Sequence, residues 1–457
     1  MAIDLTKSRR KLPSPMLDRS AYSIFSVLKQ AIGKDLTRFS IPIIWNEPLS
    51  FLQRLSECLE HSSLLDQAAL ADTPIERFHL LTAFIVSHLS NHLERTSKPF
   101  NPLLGETFEL KNEKDAPFHF IAEQVCHHPP ISAMHARGLN WILTGNIQPV
   151  IKFHGTNVAA LDEGKWVLRI RKKSSISRSS SQSSFHSCTE ENNEQYEEVN
   201  DQDNDYEEYT WKSPDVVVHN ILFGHLWCEF QGQITLQHTQ SNRRAVLTIK
   251  SHSWFASQAT KASEMFKFSG YIYDGDDKLS AFHGNYGHCY YAIDNINDFE
   301  SKTTSCCSVG GHNSIQFSFN TLKASPCNVI LTPSSRLIWH RCLSSMTDEE
   351  LESRPQYYYF TSFTMCLNEE IFSTKLPPTD CRNRQDIRFL EKGILEAASA
   401  EKHRLEEQQR TEARNRECDY QPLWFKKNDK KEYIYTGEYE KRKFDHCPNL
   451  FSQTSCL

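Results

Sequence analysis

The sequence has no apolar run near the roughly 18 residues that a bilayer-spanning helix requires, and its start, Met1-Ala2-Ile3-Asp4, lacks a signal-peptide apolar core. The expectation is an unanchored, cytosolic chain. Ala2 excludes N-myristoylation, and Cys456, one residue from the end, does not fit a prenylation box. Any membrane contact is therefore expected to be peripheral. Basic residues are not in excess: 51 Lys and Arg stand against 57 Asp and Glu, a formal net charge of −6. The chain-wide positive field of nucleic-acid binders is missing, so anion recognition has to be local. The 14 cysteines include no Cys-x-x-Cys pair and read as reduced thiols. No GxSxG elbow, phosphate-binding glycine loop, HExxH or dinucleotide fingerprint occurs, so nothing argues for an enzyme, a cofactor or a resident metal.

What is present is the texture of a globular protein, 457 residues long, 39% hydrophobic and 11% aromatic. Tyr22, Phe25, Leu28, Ile32, Leu36 and Phe39 recur near helical spacing. A second helix signal opens at Thr73 as N-cap, with Pro74 at the first helical position and Glu76 completing a capping box. Phe78, Leu81, Ile85, Leu89 and His92 then share one face, which reads as core. From Phe118 to about Tyr291 short β-rich runs follow, among them 141–144, 216–223, 246–249 and 270–273, separated by turn signals such as Asp274-Gly275-Asp276. This pattern predicts an antiparallel sheet or barrel. Helical text returns only after Asp386, and residues 391–416 predict a largely solvated helix. Residues 174–187 are serine-rich and 190–208 carry ten acidic residues without a Lys or Arg, which predicts a disordered insertion within one domain. A milder irregular stretch covers 301–313.

Three features could carry chemistry. In Glu123-Gln124-Val125-Cys126-His127-His128-Pro129-Pro130, adjacent strand residues face opposite ways, so the two histidines converge only where the strand is distorted or ends, as the proline pair predicts. A structural histidine pair, an anion site and a metal site all stay open, although the spacing suits zinc poorly. Lys98-Pro99-Phe100-Asn101-Pro102-Leu103-Leu104-Gly105-Glu106 reads as an ordered, non-helical link with a Lys at its edge. Lys402, Glu406 and Arg410 recur every four residues and share one helix face, either as a solvated ladder or as a rail over an anionic headgroup.

Together these motifs resemble the oxysterol-binding protein related family, whose hallmark is Glu-Gln-Val-Ser-His-His-Pro-Pro. Residues 123–130 match it at seven of eight positions, with Cys126 in place of Ser. Asn101 to Glu106, Pro377-Pro378-Thr379-Asp380 and residues 401–410 match further blocks in order, although residues 381–386 depart from the usual sequence there. The resemblance implies a mainly β fold with flanking α-helices: a large incomplete antiparallel β-barrel around an apolar lipid tunnel, with an N-terminal lid near residues 22–39 and a C-terminal helix. It implies a lipid-binding domain over 15–445, with an insertion at 174–210 and tails at 1–14 and 446–457, as in a short member without further domains. It further implies a cytosolic lipid carrier, peripheral on intracellular membranes, that holds a sterol (or other lipid) or a phosphoinositide and exchanges them. A lipid sensor or scaffold is the alternative. By motif, Lys98, Asn101, His127, His128, Lys402, Glu406 and Arg410 would bind the phosphoinositide headgroup.

Overall fold

The chain is seen in a computed structural model that describes residues 9–19, 22, 41–114, 116–153, 157–176, 205–221, 226–250, 265–305, 329, 331–341, 346–370 and 375–452. The expected lid helix at 22–39 lies, apart from Tyr22, outside the described residues, as does 177–204 of the expected insertion. After β1 (Asn46–Ser50) come α1 (Phe51–Ser56), α2 (Ser63–Leu70) and α3 (Pro74–Ser90), then β2 (Lys98–Phe100), which pairs parallel with β1. The Thr73 hydroxyl accepts the Glu76 amide and Pro74 opens α3, as expected. Only half of the capping box forms, because the Glu76 carboxylate pairs instead with Arg336 at 2.6 Å. Nearly every side chain of α3 is buried, not one face alone, because the helix lies against the inner side of a sheet that curves around it.

That sheet has fifteen strands with antiparallel pairings throughout. They are β3 (Thr107–Asn112), β4 (Phe118–His127), β5 (Pro130–Gly138), β6 (Trp141–Ile147), β7 (Pro149–Phe153), β8 (Val158–Asp162), β9 (Lys165–Arg171), β10 (Tyr206–Trp211), β11 (Asp215–His219), β12 (Trp227–His238), β13 (Arg243–Ile249), β14 (Lys267–Asp274), β15 (Asp277–Asn285), β16 (Cys289–Ile293) and β17 (Ser335–His340). The order runs β17-β16-β15-β14-β13-β12-β10-β9-β6-β5-β4-β3, and β12 also carries a branch through β11 and β8 to β7. The end strands β17 and β3 do not pair, which leaves the sheet an incomplete barrel. Burial alternates strictly along β6, the mark of one wet face, but not along β4. The second face of β4 is covered: Ile121 and Val125 pack with Trp424, Phe425, Tyr439 and Phe444 from the C-terminal segment.

Besides α1 and α2, helical segments missed in the sequence are α4 (Ile296–Ser305), α5 (Asp348–Ser353) and α6 (Ser362–Cys366). Two of these span six residues or fewer, too short to show an apolar period. The late helix is also broken into α7 (Gln385–Glu391) and α8 (Leu395–Asn415), with Gly393 at φ 74 between them. Only Ala398 and Leu405 of α8 are buried, in keeping with a solvated helix. The boundary of the insertion at 210 falls inside β10, which pairs with β9 from Tyr206 onward. Neither tail is loose throughout: Arg9 pairs with Glu391, Leu12 is buried, and Phe451 packs on Leu103 and Leu405.

Two of the sequence blocks meet in one buried ion network. Arg384 donates to Glu106 at 2.8 Å, to Asp386 at 2.7 Å and to the Asn101 carbonyl at 2.9 Å, while Glu106 also accepts from Ser50 and from the Leu103 amide. Beside it Arg382 forks onto Asp380, and the Thr107 and Thr379 hydroxyls meet at 2.8 Å. Replacing Arg384 by Met leaves two buried carboxylates without their counter-charge. The expected loss is about 3–5 kcal/mol of unfolding free energy in urea titrations. A loss below about 1 kcal/mol would show that water or neighbouring residues take over its role.

Candidate functional site

The tunnel lies between α3 and the concave side of the sheet. It is a cavity of about 420 Å³, within the range of roughly 300–1,000 Å³ usual for small-ligand pockets. Phe84, Leu89, Trp166, Trp211, Val216 and Phe230 are among its walls. One stretch of wall is polar. Arg95 is clamped between Glu47 and Glu57, both at 2.7 Å, and Arg54 donates to His92 Nδ1 at 3.2 Å. Burial, together with the Arg54 and Arg95 charges, pushes His88 down to about 4, so this ring is neutral at physiological pH. Nothing in the sequence marked these residues as lining: His88 lies on α3, whose helical period is the same for core and tunnel, and the others come together only in the fold.

The mouth is built from three chain segments. On the first, β2 brings Lys98 to the rim, followed by Asn101, whose side is open to solvent. Lys98 sits in a strand and is partly buried, not in a solvated loop, because β1 pairs along it and Asn46 Nδ2 donates to its carbonyl at 3.0 Å. On the second, β4 turns directly into β5, with His127 opposite Pro130 and a bulge between Gln124 and Cys126. This end of the strand lets the neighbouring rings approach to 4.6 Å between centroids, as the sequence predicted. His127 lines the cavity and His128 is exposed beside it. The third segment is α8, lying across the mouth.

Lys402 on α8 is held by the Ile41 carbonyl at 2.5 Å and by Asn46 Oδ1 at 3.0 Å. Burial, then the nearby Lys402 charge, lowers Lys98 to about 8, with Glu406 opposing in part. Burial likewise lowers Lys402, and Glu406 again opposes. Two ammonium groups and one carboxylate thus act on one another at a partly buried rim. Arg410, one turn beyond Glu406, is exposed and bonds Glu406 and Glu407, which is the solvated-ladder arrangement. Gln409, which the four-residue spacing passed over, does more: its carbonyl accepts the Leu104 amide at 2.8 Å, and its amide donates to His127 Nε2 at 2.7 Å. The Leu104 bond fixes which way the amide points, and this places the His127 ring proton on Nδ1. Its position three residues after Glu406, on the same helix face, was the available signal.

The rest of the hallmark octapeptide is structural. Glu123 accepts from Tyr420 and from the Leu423 and Trp424 amides at 2.9–3.0 Å, pinning the C-terminal segment to β4. Gln124 bridges the Cys126 carbonyl and the Ser132 hydroxyl across the bulge. Among the described residues no group of three His, Cys, Asp or Glu side chains could hold a metal ion, and no helix is long and apolar enough to cross a membrane.

A sequence profile of the oxysterol-binding protein family matches residues 23–444. Human oxysterol-binding protein-related protein 1 is 37% identical over 98% of this chain, and human oxysterol-binding protein-related protein 2 is 36% identical over 98%. The chain covers 44% of the first relative's length and 88% of the second's. Among solved structures, the Osh1 ORD domain in complex with ergosterol superposes with a TM-score of 0.71 at 29% identity, covering 97% of this chain and 93% of that one. The Osh3 ORD in complex with PI(4)P, from Saccharomyces cerevisiae, gives 0.70 at 26%, covering 97% and 99%.

Removing the Lys402 charge by Lys402→Met keeps the buried stem and takes away the like charge next to Lys98. The Lys98 titration, followed by NMR of its Nζ, is expected to move upward from about 8. An unmoved titration would mean that the two side chains do not share the mouth.

Proposed function

The chain belongs to the oxysterol-binding protein family, and on that premise we propose that it is a lipid carrier. It takes a sterol or another lipid, or in its place a phosphoinositide, into one tunnel and exchanges them between membranes without covalent chemistry. The observation that carries this reading is the apolar-walled cavity opening onto a rim where the Lys98 and Lys402 charges meet in partly buried positions. An acyl chain or sterol in the tunnel gains about 0.8 kcal/mol for each CH₂ withdrawn from water. A phosphate at the rim supplies the negative charge that Glu406 alone leaves short. The solved relatives add support, since their ligands include ergosterol, cholesterol and PI(4)P.

In this reading Lys98 and Lys402 meet the phosphates, and the His127 Nδ1 proton and His128 donate to them. Asn101 and Glu406 bond inositol hydroxyls. Arg410 contributes least, because an exposed guanidinium already paired with two carboxylates gains little from a third anion. The carrier works from the cytosol and touches intracellular membranes peripherally.

Two outcomes test the proposal. The double variant His127→Ala with His128→Ala is expected to lose phosphoinositide extraction from liposomes, read by native mass spectrometry, while still loading sterol. Undiminished extraction by the folded variant would sink the headgroup assignment. The second outcome is a pH dependence. Below about 8 Lys98 is already protonated in the empty protein, and binding a phosphate takes up no proton. Above that pH the neutral amine must first gain a proton, so affinity falls by up to about tenfold per pH unit. Calorimetry with a soluble short-chain phosphatidylinositol 4-phosphate should show this fall in the parent and not in Lys98→Arg. A flat parent profile would remove Lys98 from the site.

A further inference from the structure

The C-terminal segment carries a hairpin that the tunnel does not use. Its strands β18 (Phe425–Lys427) and β19 (Tyr433–Tyr435) pair Phe425 with Tyr435, Lys426 with Ile434 and Lys427 with Tyr433. The inner face is anchored, since Phe425 is buried against Ile121, Val125 and Ala133. Asn146 exchanges two hydrogen bonds with the Tyr433 backbone, at 2.7 and 3.1 Å. Asn146 precedes Ile147, a wall residue at the mouth end of β6, so the hairpin runs along the outside of the sheet toward the mouth. Its tip is an ordered turn: Lys431 donates to the Asn428 carbonyl, and the Glu432 amide to Asn428 Oδ1, both at 2.9 Å.

The outer face has a composition that a soluble surface does not need. Lys426, Lys427, Lys430 and Lys431 are all exposed, and among the described residues none forms an ion pair. Only Asp429 and Glu432 oppose them within the hairpin. Opposite Lys426 stands Ile434, 53% exposed, next to Tyr433 and Tyr435. An exposed isoleucine beside Lys426, with Lys430 and Lys431 at the tip and Lys427 over the Tyr433 ring behind, matches the chemistry of an anionic bilayer surface: headgroup charge outside, apolar boundary beneath. A folded acidic protein would complement the lysines but would leave Ile434 without reason.

We propose that this hairpin docks on anionic lipid bilayers and seats the tunnel mouth against them. The inference rests on the carrier reading, and its test is separable from it. Lys430→Gln with Lys431→Gln, and separately Ile434→Ser, change exposed side chains only. Partition of the full chain is measured by flotation with phosphatidylcholine vesicles containing about one third phosphatidylserine. The double variant is expected to bind roughly 25-fold more weakly, about fivefold per lysine, and Ile434→Ser several-fold more weakly. Binding of the soluble short-chain phosphoinositide should stay unchanged in both. If that ligand fails to bind even the parent chain, the carrier reading falls while the docking result stands. Unchanged partition of the double variant would overturn the proposal. So would an equal loss on vesicles of phosphatidylcholine alone, or intact vesicle binding with lost retention on polyglutamate.

Discussion

The mouth of the tunnel depends on one buried guanidinium. Arg384, braced by its neighbour Asp386 on α7, reaches a part of the chain 278 residues away, where it holds the carboxylate of Glu106 at the start of the sheet and the carbonyl of Asn101 at the rim. Together with the Leu104–Gln409 bond and the packing of Phe100 with Ile387 and Leu390, it holds the loop after β2 against the helix pair α7–α8 and so fixes how Lys98 stands to Lys402. Burying such a network gains little net stability, since desolvation cancels most of the Coulombic attraction. What it supplies is position. On the rim residue Lys402 its Asp386 and Arg384 charges act in opposite senses and so offset each other in part.

How much of this could be read from the sequence depended on where each signal came from. The β-rich texture from Phe118 to Tyr291 and the Thr73 N-cap of α3 were legible because both are local, set by alternation, turns and a Thr-Pro start. The two histidines were legible because a proline pair forces the backbone there. Arg384, Gln409 and the polar wall around His88 and His92 were not, since each owes its role to a partner nearly forty to three hundred residues away. The charge spacing of α8 illustrates the limit. It singled out Lys402, Glu406 and Arg410 alike, yet the fold tucks the first partly in, against the Ile41 carbonyl and Asn46, and leaves the last in a surface ladder. Short helices such as α6 escaped because five residues show no period.

The octapeptide around His127 divides its labour in a way that the motif alone conceals. Its first half holds the structure together, with Glu123 receiving three donors from the returning C-terminal segment and Gln124 bracing the bulge. Its second half turns the chain and presents the rings. Cys126, at the junction, faces the outside of the barrel near Tyr433 and not the rim, so the exchange of a hydroxyl for a thiol there leaves the mouth chemistry alone. A conserved string of letters can thus be two adjacent devices, one for folding and one for binding.

The pair of lysines at the rim has a further consequence, for the lifetime of the protein. Two partly buried ammonium groups, one acting on the other, raise the free energy of the folded empty chain, and an anion bound at the rim removes that cost. The loaded chain therefore opens less often than the empty one, and a protease that waits for opening samples mainly empty copies. The number of carriers would then follow the supply of anionic cargo with no separate sensor, through survival alone.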